Sequence, residues 1–171
     1  LLFACSNNVV NEPTELEKMR DKVKIKRIWK VSVGNGDNGL MLQLSPVIKD
    51  SLIYTLDAEG VITALNRFSG EVEWERELGD NVSGGLEVDS QRLYYATFQG
   101  ELVCLDRYSG NQIWRRELTS EAISAPSSNG RMVAVQTIDG KLFAFDTAEG
   151  IQRWRYDSVG PILSLRGTSS P

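Results

Sequence analysis

The protein has 171 residues, of which 41% are hydrophobic, 25% charged and 8% aromatic, and its formal net charge is −4. This ordinary globular composition argues against a disordered tail, a fibre or a polytopic membrane protein, and the charge gives no reason to expect nucleic-acid binding. The sequence contains no histidine, which excludes Ser–His–Asp and Cys–His nucleophiles and H-E-x-x-H zinc sites.

Residues 1–22 are predicted to be the end of a signal peptide followed by a tether. Apolar residues 1–4 precede Cys5, and this arrangement resembles a bacterial lipobox. The resemblance implies that Cys5 is acylated, with palmitate among its lipids, and Ser6 after it favours the outer membrane. Residues 5–22 are polar and are interpreted as the lipidated, flexible tether. The alternative is a disordered leader with an incidental cysteine.

Residues 23–46 begin the folded domain, which is predicted to span 23–171. Apolar and basic residues alternate over 23–27, which is typical of a half-exposed strand, although a basic contact with anionic lipid is the alternative. Residues 28–34, with Trp29, resemble an outer strand that lacks its three preceding strands. The connection from Trp29 to Pro46 is long and carries a leucine-rich run, residues 40–44.

The chain repeats every 40 residues, which several independent columns establish. These columns are Gly60, Gly100 and Gly140; Asn66, Asp106 and Asp146; Gly70, Gly110 and Gly150; and Trp74, Trp114 and Trp154. Each unit contains short β-rich runs separated by glycine turns, and no stretch has helical periodicity. Four antiparallel strands per unit predict an all-β protein of the β-propeller class. Blades are predicted at about 46–78, 86–118 and 126–157.

The repeat residues themselves are predicted to be structural. The tryptophans at positions 74, 114 and 154 are expected to pack between adjacent blades, and the glycines at positions 70, 110 and 150 to form tight turns. Cys104 occupies an alanine column and is interpreted as a small buried residue. The A-x-[DN]-x-x-x-G-x-x-x-W pattern resembles repeats of the pyrroloquinoline-quinone (PQQ) type, and the Trp-Asp signature of WD40 blades is absent.

Three blades are fewer than a propeller needs to close, so the chain is expected to be part of a larger protein, with a fourth blade starting at 168–171. The connection from Trp154 to Pro171 is longer than that from Trp114 to Pro126 and matches the length of that from Trp29 to Pro46. It contains leucines and an arginine, the composition of a protein-binding hot spot. The alternative is that the leucine-rich connections fold back onto the blades as local core.

The lipobox, the tether, the outer-strand segment, the PQQ-like blades and the segment Leu163-Ser164-Leu165-Arg166-Gly167 occur here in one order. Together they resemble the BamB family of outer-membrane β-barrel assembly lipoproteins, over about the first half of such a protein with eight blades. The resemblance implies a non-enzymatic scaffold of the Bam complex, lipid-anchored in the outer membrane and facing the periplasm. It further implies that Leu163, Leu165 and Arg166 bind the POTRA region of BamA. Unfolded outer-membrane proteins are possible clients.

Two other functions share the same blades. One is a fragment of a PQQ-dependent dehydrogenase, which requires Ca²⁺ ligands, a catalytic aspartate and, in many cases, adjacent cysteines. The sequence has no Cys-Cys pair, and turns explain the aspartate and asparagine columns. The other is a periplasmic propeller that binds a different partner. We predict no catalytic residue, no metal and no cofactor.

Overall fold

The computed structural model of the protein describes residues 25–122 and 124–158, and this part of the chain contains β-strands and no helix. The predicted tether over 5–22 and the predicted blade start at 168–171 lie outside the described residues. The strands are β1 Val47–Lys49, β2 Leu52–Leu56, β3 Val61–Asn66, β4 Val72–Glu77, β5 Val82–Val88, β6 Arg92–Thr97, β7 Glu101–Asp106, β8 Gln112–Glu117, β9 Ser127–Ser128, β10 Met132–Gln136, β11 Lys141–Asp146 and β12 Gln152–Asp157.

The strands form three four-stranded antiparallel sheets, in which each strand pairs with the next along the chain. The sheets are β1–β4, β5–β8 and β9–β12, and the first strands of neighbouring sheets contact each other. The described residues therefore form an open arc of propeller blades. The first strand of each sheet, β1, β5 or β9, lies on the inner side of this arc. This confirms the predicted all-β fold.

The sheets repeat in detail because the repeat columns repeat. Each third strand has the same register irregularity against its fourth strand, after residues 64, 104 and 144. The turn that follows begins with an Asx side chain that accepts a backbone amide: Asn66 from Phe68, Asp106 from Ser109 and Asp146 from Glu149. The third turn of each sheet is therefore closed by its own first residue.

The core lies between the sheets, in two clusters. Strand β6 contributes to both, because alternate side chains of a strand point to opposite faces. Leu93 and Tyr95 belong to the cluster between the first and second sheets, and Tyr94 and Ala96 belong to the cluster between the second and third. The middle sheet is thus buried on both faces, which explains why β6 is apolar almost throughout.

Tryptophan and glycine of successive repeats meet across the sheet interfaces. A Cβ atom on Gly110 would lie 2.7 Å from the Trp74 ring, and one on Gly150 would lie 2.6 Å from the Trp114 ring. Both glycines have positive φ angles, 71° and 68°, which residues with a side chain rarely adopt. Each glycine therefore provides the turn and also the space for the tryptophan of the preceding repeat.

Residues 25–46 contain no strand, so the segment 28–34 is not part of a sheet in this structure. An outer strand forms only beside a third strand, and no strand of the described residues pairs with this segment. Trp29 nevertheless occupies the position of the repeat tryptophans, since a Cβ on Gly70 would lie 2.7 Å from its ring. Its Nε1 donates to the Arg67 carbonyl at 3.1 Å, as Trp114 Nε1 donates to Thr147 at 3.1 Å.

Strand β5 begins at residue 82, earlier than the predicted blade start at about 86. Its first residue, Val82, pairs with Thr97. The corresponding pair in the third sheet, Ala122 and Thr137, is an isolated bridge. The inner strand of the second sheet is longer because its pairing with β6 resumes after each of two register shifts, between Val82 and Gly84 and between Gly84 and Glu87.

A buried arginine joins the first two sheets. Arg107 is 2% exposed and donates from Nε to the Tyr54 hydroxyl at 2.9 Å and from Nη2 to Asp50 at 2.6 Å. Its Nη1 also donates to the backbone carbonyl of Ser90. Burial alone would lower the pKa of Arg107, but the hydrogen bonds to Asp50 and Tyr54 raise it above its ordinary value. The arginine therefore remains a charged link between the sheets.

Candidate protein-binding face

The two edges of the arc differ in what they carry. One edge, here called the connector face, holds the second turn of each sheet (57–60, 97–100 and 137–140) and the connections between sheets (78–81 and 118–126). It also holds the connection 34–46, which leads into the first sheet. Backbone hydrogen bonds tie these parts together: Leu78 to Gly60, Leu118 to Gly100, Ser158 to Gly140, Ala58 to Gly36 and Ile138 to Glu121. The connections are thus fixed on the sheet edge.

The opposite edge, here called the turn face, holds the first and third turns of each sheet. The same backbone contact recurs in every repeat, from the third turn to the first: Arg67 to Ser51, Arg107 to Gln91 and Thr147 to Arg131. All these turns are short, so the turn face carries none of the inter-sheet connections. The connector face is therefore the edge on which the chain varies in length.

The connection 34–46 is held on the first sheet by two acidic side chains. Asp57 is buried, and its Oδ1 accepts from the amides of Glu59 and Val61 at 3.0 and 2.7 Å. Its Oδ2 accepts from the Asn35 amide at 2.8 Å. The Glu59 carboxylate accepts from the side-chain amides of Asn35 and Asn38 at 2.9 and 2.8 Å. One turn thus fixes the first half of the connection.

The two halves of the leucine-rich run 40–44 differ in their burial. Leu42 and Leu44 fold back and line, with Leu56 of β2, a cavity of about 350 Å³ beside the first sheet. Leu40 and Met41 point outward, with exposed fractions of 48% and 87%. The run therefore supplies local core through its second half and an exposed apolar tip through its first half.

The connection 78–81 is held by an ion pair network. Arg115 contacts Asp80 at 2.6 Å and Glu101 at 2.7 Å, and the Tyr95 hydroxyl also donates to Asp80. The hydrogen bond to Asp80 raises the pKa of Arg115. Burial, followed by the hydrogen bond to Asp80, raises the pKa of Tyr95, so this hydroxyl stays protonated and can donate.

A second polar cluster closes the connector face at the third sheet. Asp139 accepts from Thr119 Oγ1 at 2.8 Å and from Lys141 Nζ at 2.6 Å, and Thr137 also donates to it. Burial alone would raise the pKa of Asp139, but these donors outweigh it and lower the pKa to about 2. The network links the connection 118–126 to the turn 137–140 at neutral pH.

Some of the predicted site residues can be located and others cannot. Cys5, Leu163, Leu165 and Arg166 lie outside the described residues. Trp74 and Trp114 lie at sheet interfaces, whereas Trp154 is 42% exposed on the last sheet. Cys104 is buried, and burial raises the pKa of its thiol to about 12, so it is an unreactive core residue.

Two features are absent from the described part of the chain. No group of three or more histidine, cysteine, aspartate or glutamate side chains is placed there to bind a metal ion. Residues 25–122 and 124–158 also contain no helix that is long and apolar enough to cross a bilayer. The features that stand out on the connector face are instead a fixed backbone and an exposed apolar tip, which suit contact with another protein.

Comparison with known proteins identifies relatives of the chain. The family model described as "Outer membrane protein assembly factor BamB" matches residues 58–171. Proteins of that name from Kangiella koreensis and Pseudomonas aeruginosa are 38% identical over 90 residues and 40% identical over 89 residues. These alignments cover 53% and 51% of this chain but 23% of each relative, so the chain spans about a quarter of the curated relatives.

Solved structures give the same picture of the fold. BamB from Moraxella catarrhalis is similar with a TM-score of 0.65 and 25% identity, over 77% of this chain and 39% of that one. A europium-containing methanol dehydrogenase is similar with a TM-score of 0.58 and 19% identity, over 68% of this chain and 24% of that one. The second likeness shows the shared fold alone.

Proposed function

Because the chain belongs to the BamB family of outer membrane protein assembly factors, we propose that it is a non-enzymatic scaffold of the Bam complex. In this role it binds the POTRA region of BamA and assists the folding and insertion of outer-membrane proteins. The observation that carries the proposal is the family match over residues 58–171, which includes the segment with Leu163, Leu165 and Arg166.

The connector face supports the placement of this binding site. Strand β12 ends at Asp157, and the Ser158 amide donates to the Gly140 carbonyl at 2.9 Å. The described part of the chain therefore ends at the connector face. A scaffold needs such a fixed support because ordering a loop on binding costs affinity. We propose that Leu163 and Leu165 provide apolar anchors there and that Arg166 pairs with a carboxylate or carbonyl of BamA.

Two further parts of the proposal concern the membrane and the clients. Cys5 is proposed to carry the lipid that holds the protein on the outer membrane, with residues 5–22 as the tether into the periplasm. The last strands of the sheets, β4, β8 and β12, lie at sheet edges. Such edges offer unpaired backbone groups to an extended client, which is the basis of β-augmentation.

The site assignment is tested by combining Leu163→Ala with Arg166→Glu in the full-length protein. We expect co-purification of BamA to be lost, because the variant removes an apolar anchor and reverses the charge of the arginine. The circular dichroism spectrum should stay unchanged.

The matched control combines Phe68→Ala with Arg131→Glu, which makes the same kinds of change at exposed residues of the turn face. This control should still retain BamA. Undiminished co-purification by the Leu163/Arg166 variant would refute the site assignment. Oxidation of an alcohol or sugar by the wild type supplied with PQQ and Ca²⁺ would contradict the non-enzymatic role.

A further inference from the structure

We propose that Leu40 and Met41 form a second protein-binding contact on the connector face. The contact fits an apolar depression on a folded protein whose rim carries basic side chains. The inference rests on the proposed function for the identity of that protein, which is taken to be the partner of the 163–166 segment.

The two leucine-rich connections have the same length, although they differ in residue type at most positions. The spacing from tryptophan to proline is the same in both, Trp29 to Pro46 and Trp154 to Pro171. Leu40 follows Trp29 at the same spacing as Leu165 follows Trp154, and Met41 corresponds in the same way to Arg166. The exposed tip of the first connection is thus the counterpart of two of the three predicted partner contacts, Leu165 and Arg166.

The tip is exposed because the backbone turns there. The Leu40 amide donates to the Asp37 carbonyl at 2.9 Å, and Asn38 and Met41 have φ angles of 51° and 53°. The left-handed conformation is unfavourable for a residue with a side chain. Met41, the most exposed apolar residue of this connection, therefore has an unfavourable backbone conformation.

The tip is also held in place before any partner arrives. Asn35 and Asn38 are fixed on Glu59, and Leu42 and Leu44 pack beside β2. Fixation on both sides of the tip lowers the conformational entropy that binding would cost. Exposed apolar side chains on a pre-ordered turn are suited to filling a depression on another protein.

The surrounding charge indicates the kind of partner. Asp37 is the only charged residue between Lys30 and Lys49 in the sequence, and Glu59 lies against the same connection. A negative surround of an apolar tip favours a partner with basic side chains. The same charge disfavours insertion into an anionic lipid surface, which attracts basic segments instead.

The test measures the affinity of the purified full-length protein for BamA. The variant combines Leu40→Asp with Met41→Asp, and we expect binding at least tenfold weaker than wild type, with an unchanged thermal melt. The matched control, Phe68→Asp with Tyr108→Asp, alters two exposed apolar residues of the turn face and should bind like wild type. If the aspartate variant fails to fold, Leu40→Ala with Met41→Ala replaces it, and at least fivefold weaker binding is expected.

The outcomes separate this inference from the proposed function. Wild-type affinity of the Leu40/Met41 variants, together with lost binding by Leu163→Ala with Arg166→Glu, overturns the second contact alone. Wild-type affinity of all these variants overturns the proposed site as well. The Leu40/Met41 variants are also tested on vesicles of phosphatidylcholine and phosphatidylglycerol. If these variants lose vesicle binding but keep wild-type affinity for BamA, the tip contacts lipid and the inference is overturned.

Discussion

Replacing Trp114 by alanine is expected to destabilise the 171-residue chain by about 3–5 kcal/mol, the usual cost of removing a large buried aromatic side chain. Trp114 is 5% exposed, its ring lies against Gly150, and its Nε1 donates to Thr147. The substitution removes both contacts and leaves a cavity between the second and third sheets. Urea unfolding followed by tryptophan fluorescence measures the effect.

Trp154→Ala is the matched control, because Trp154 has the same place in the third sheet but is 42% exposed. We expect this variant to lose about 1 kcal/mol or less in the same chain. In a longer protein with a further sheet on this face, the two costs should become similar. Equal costs in the 171-residue chain would contradict the role of the sheet interface.

Replacing Gly110 by alanine is expected to cost about 2–4 kcal/mol. The left-handed backbone at Gly110 accounts for about 1 kcal/mol, and the new Cβ, 2.7 Å from the Trp74 ring, adds the cost of overpacking. The midpoint of urea unfolding measures the loss.

Gly130→Ala separates these two costs. Gly130 has a φ of 84°, and no atom lies within 4 Å of the position that a Cβ would take, so only the backbone cost of about 1 kcal/mol applies. A loss for Gly110→Ala no larger than that for Gly130→Ala would show that the tryptophan ring moves aside freely.

The repeat made the fold predictable from the sequence. Columns spaced by 40 residues identify the unit, and the turn glycines and alternating strands within one unit identify its four strands. Residue 82 falls in the predicted connection before the second blade because the sequence does not reveal whether pairing is continuous or interrupted there. That depends on the neighbouring sheet, whose counterpart at Ala122 forms only a bridge.

The contacts that fix the connector face were not predictable in the same way, and neither was the buried link between the first two sheets. Arg107 reaches Asp50 and Tyr54 from a different repeat, and nothing in the repeat marks it as buried. Leu40 and Leu44 are equivalent by composition, but one is exposed and the other half-buried. The difference arises from left-handed residues that are not glycine, a conformation for which residue type gives little warning.

Hydrogen–deuterium exchange on the full-length protein, with and without the POTRA region of BamA, tests the connector face most directly as the binding surface. We predict slower exchange on binding in the connection 34–46 and in the segment 159–171. The third turns, 66–70, 106–110 and 146–150, should exchange at an unchanged rate. Protection confined to those turns, with the two connections unaffected, would contradict the assignment of binding to the connector face.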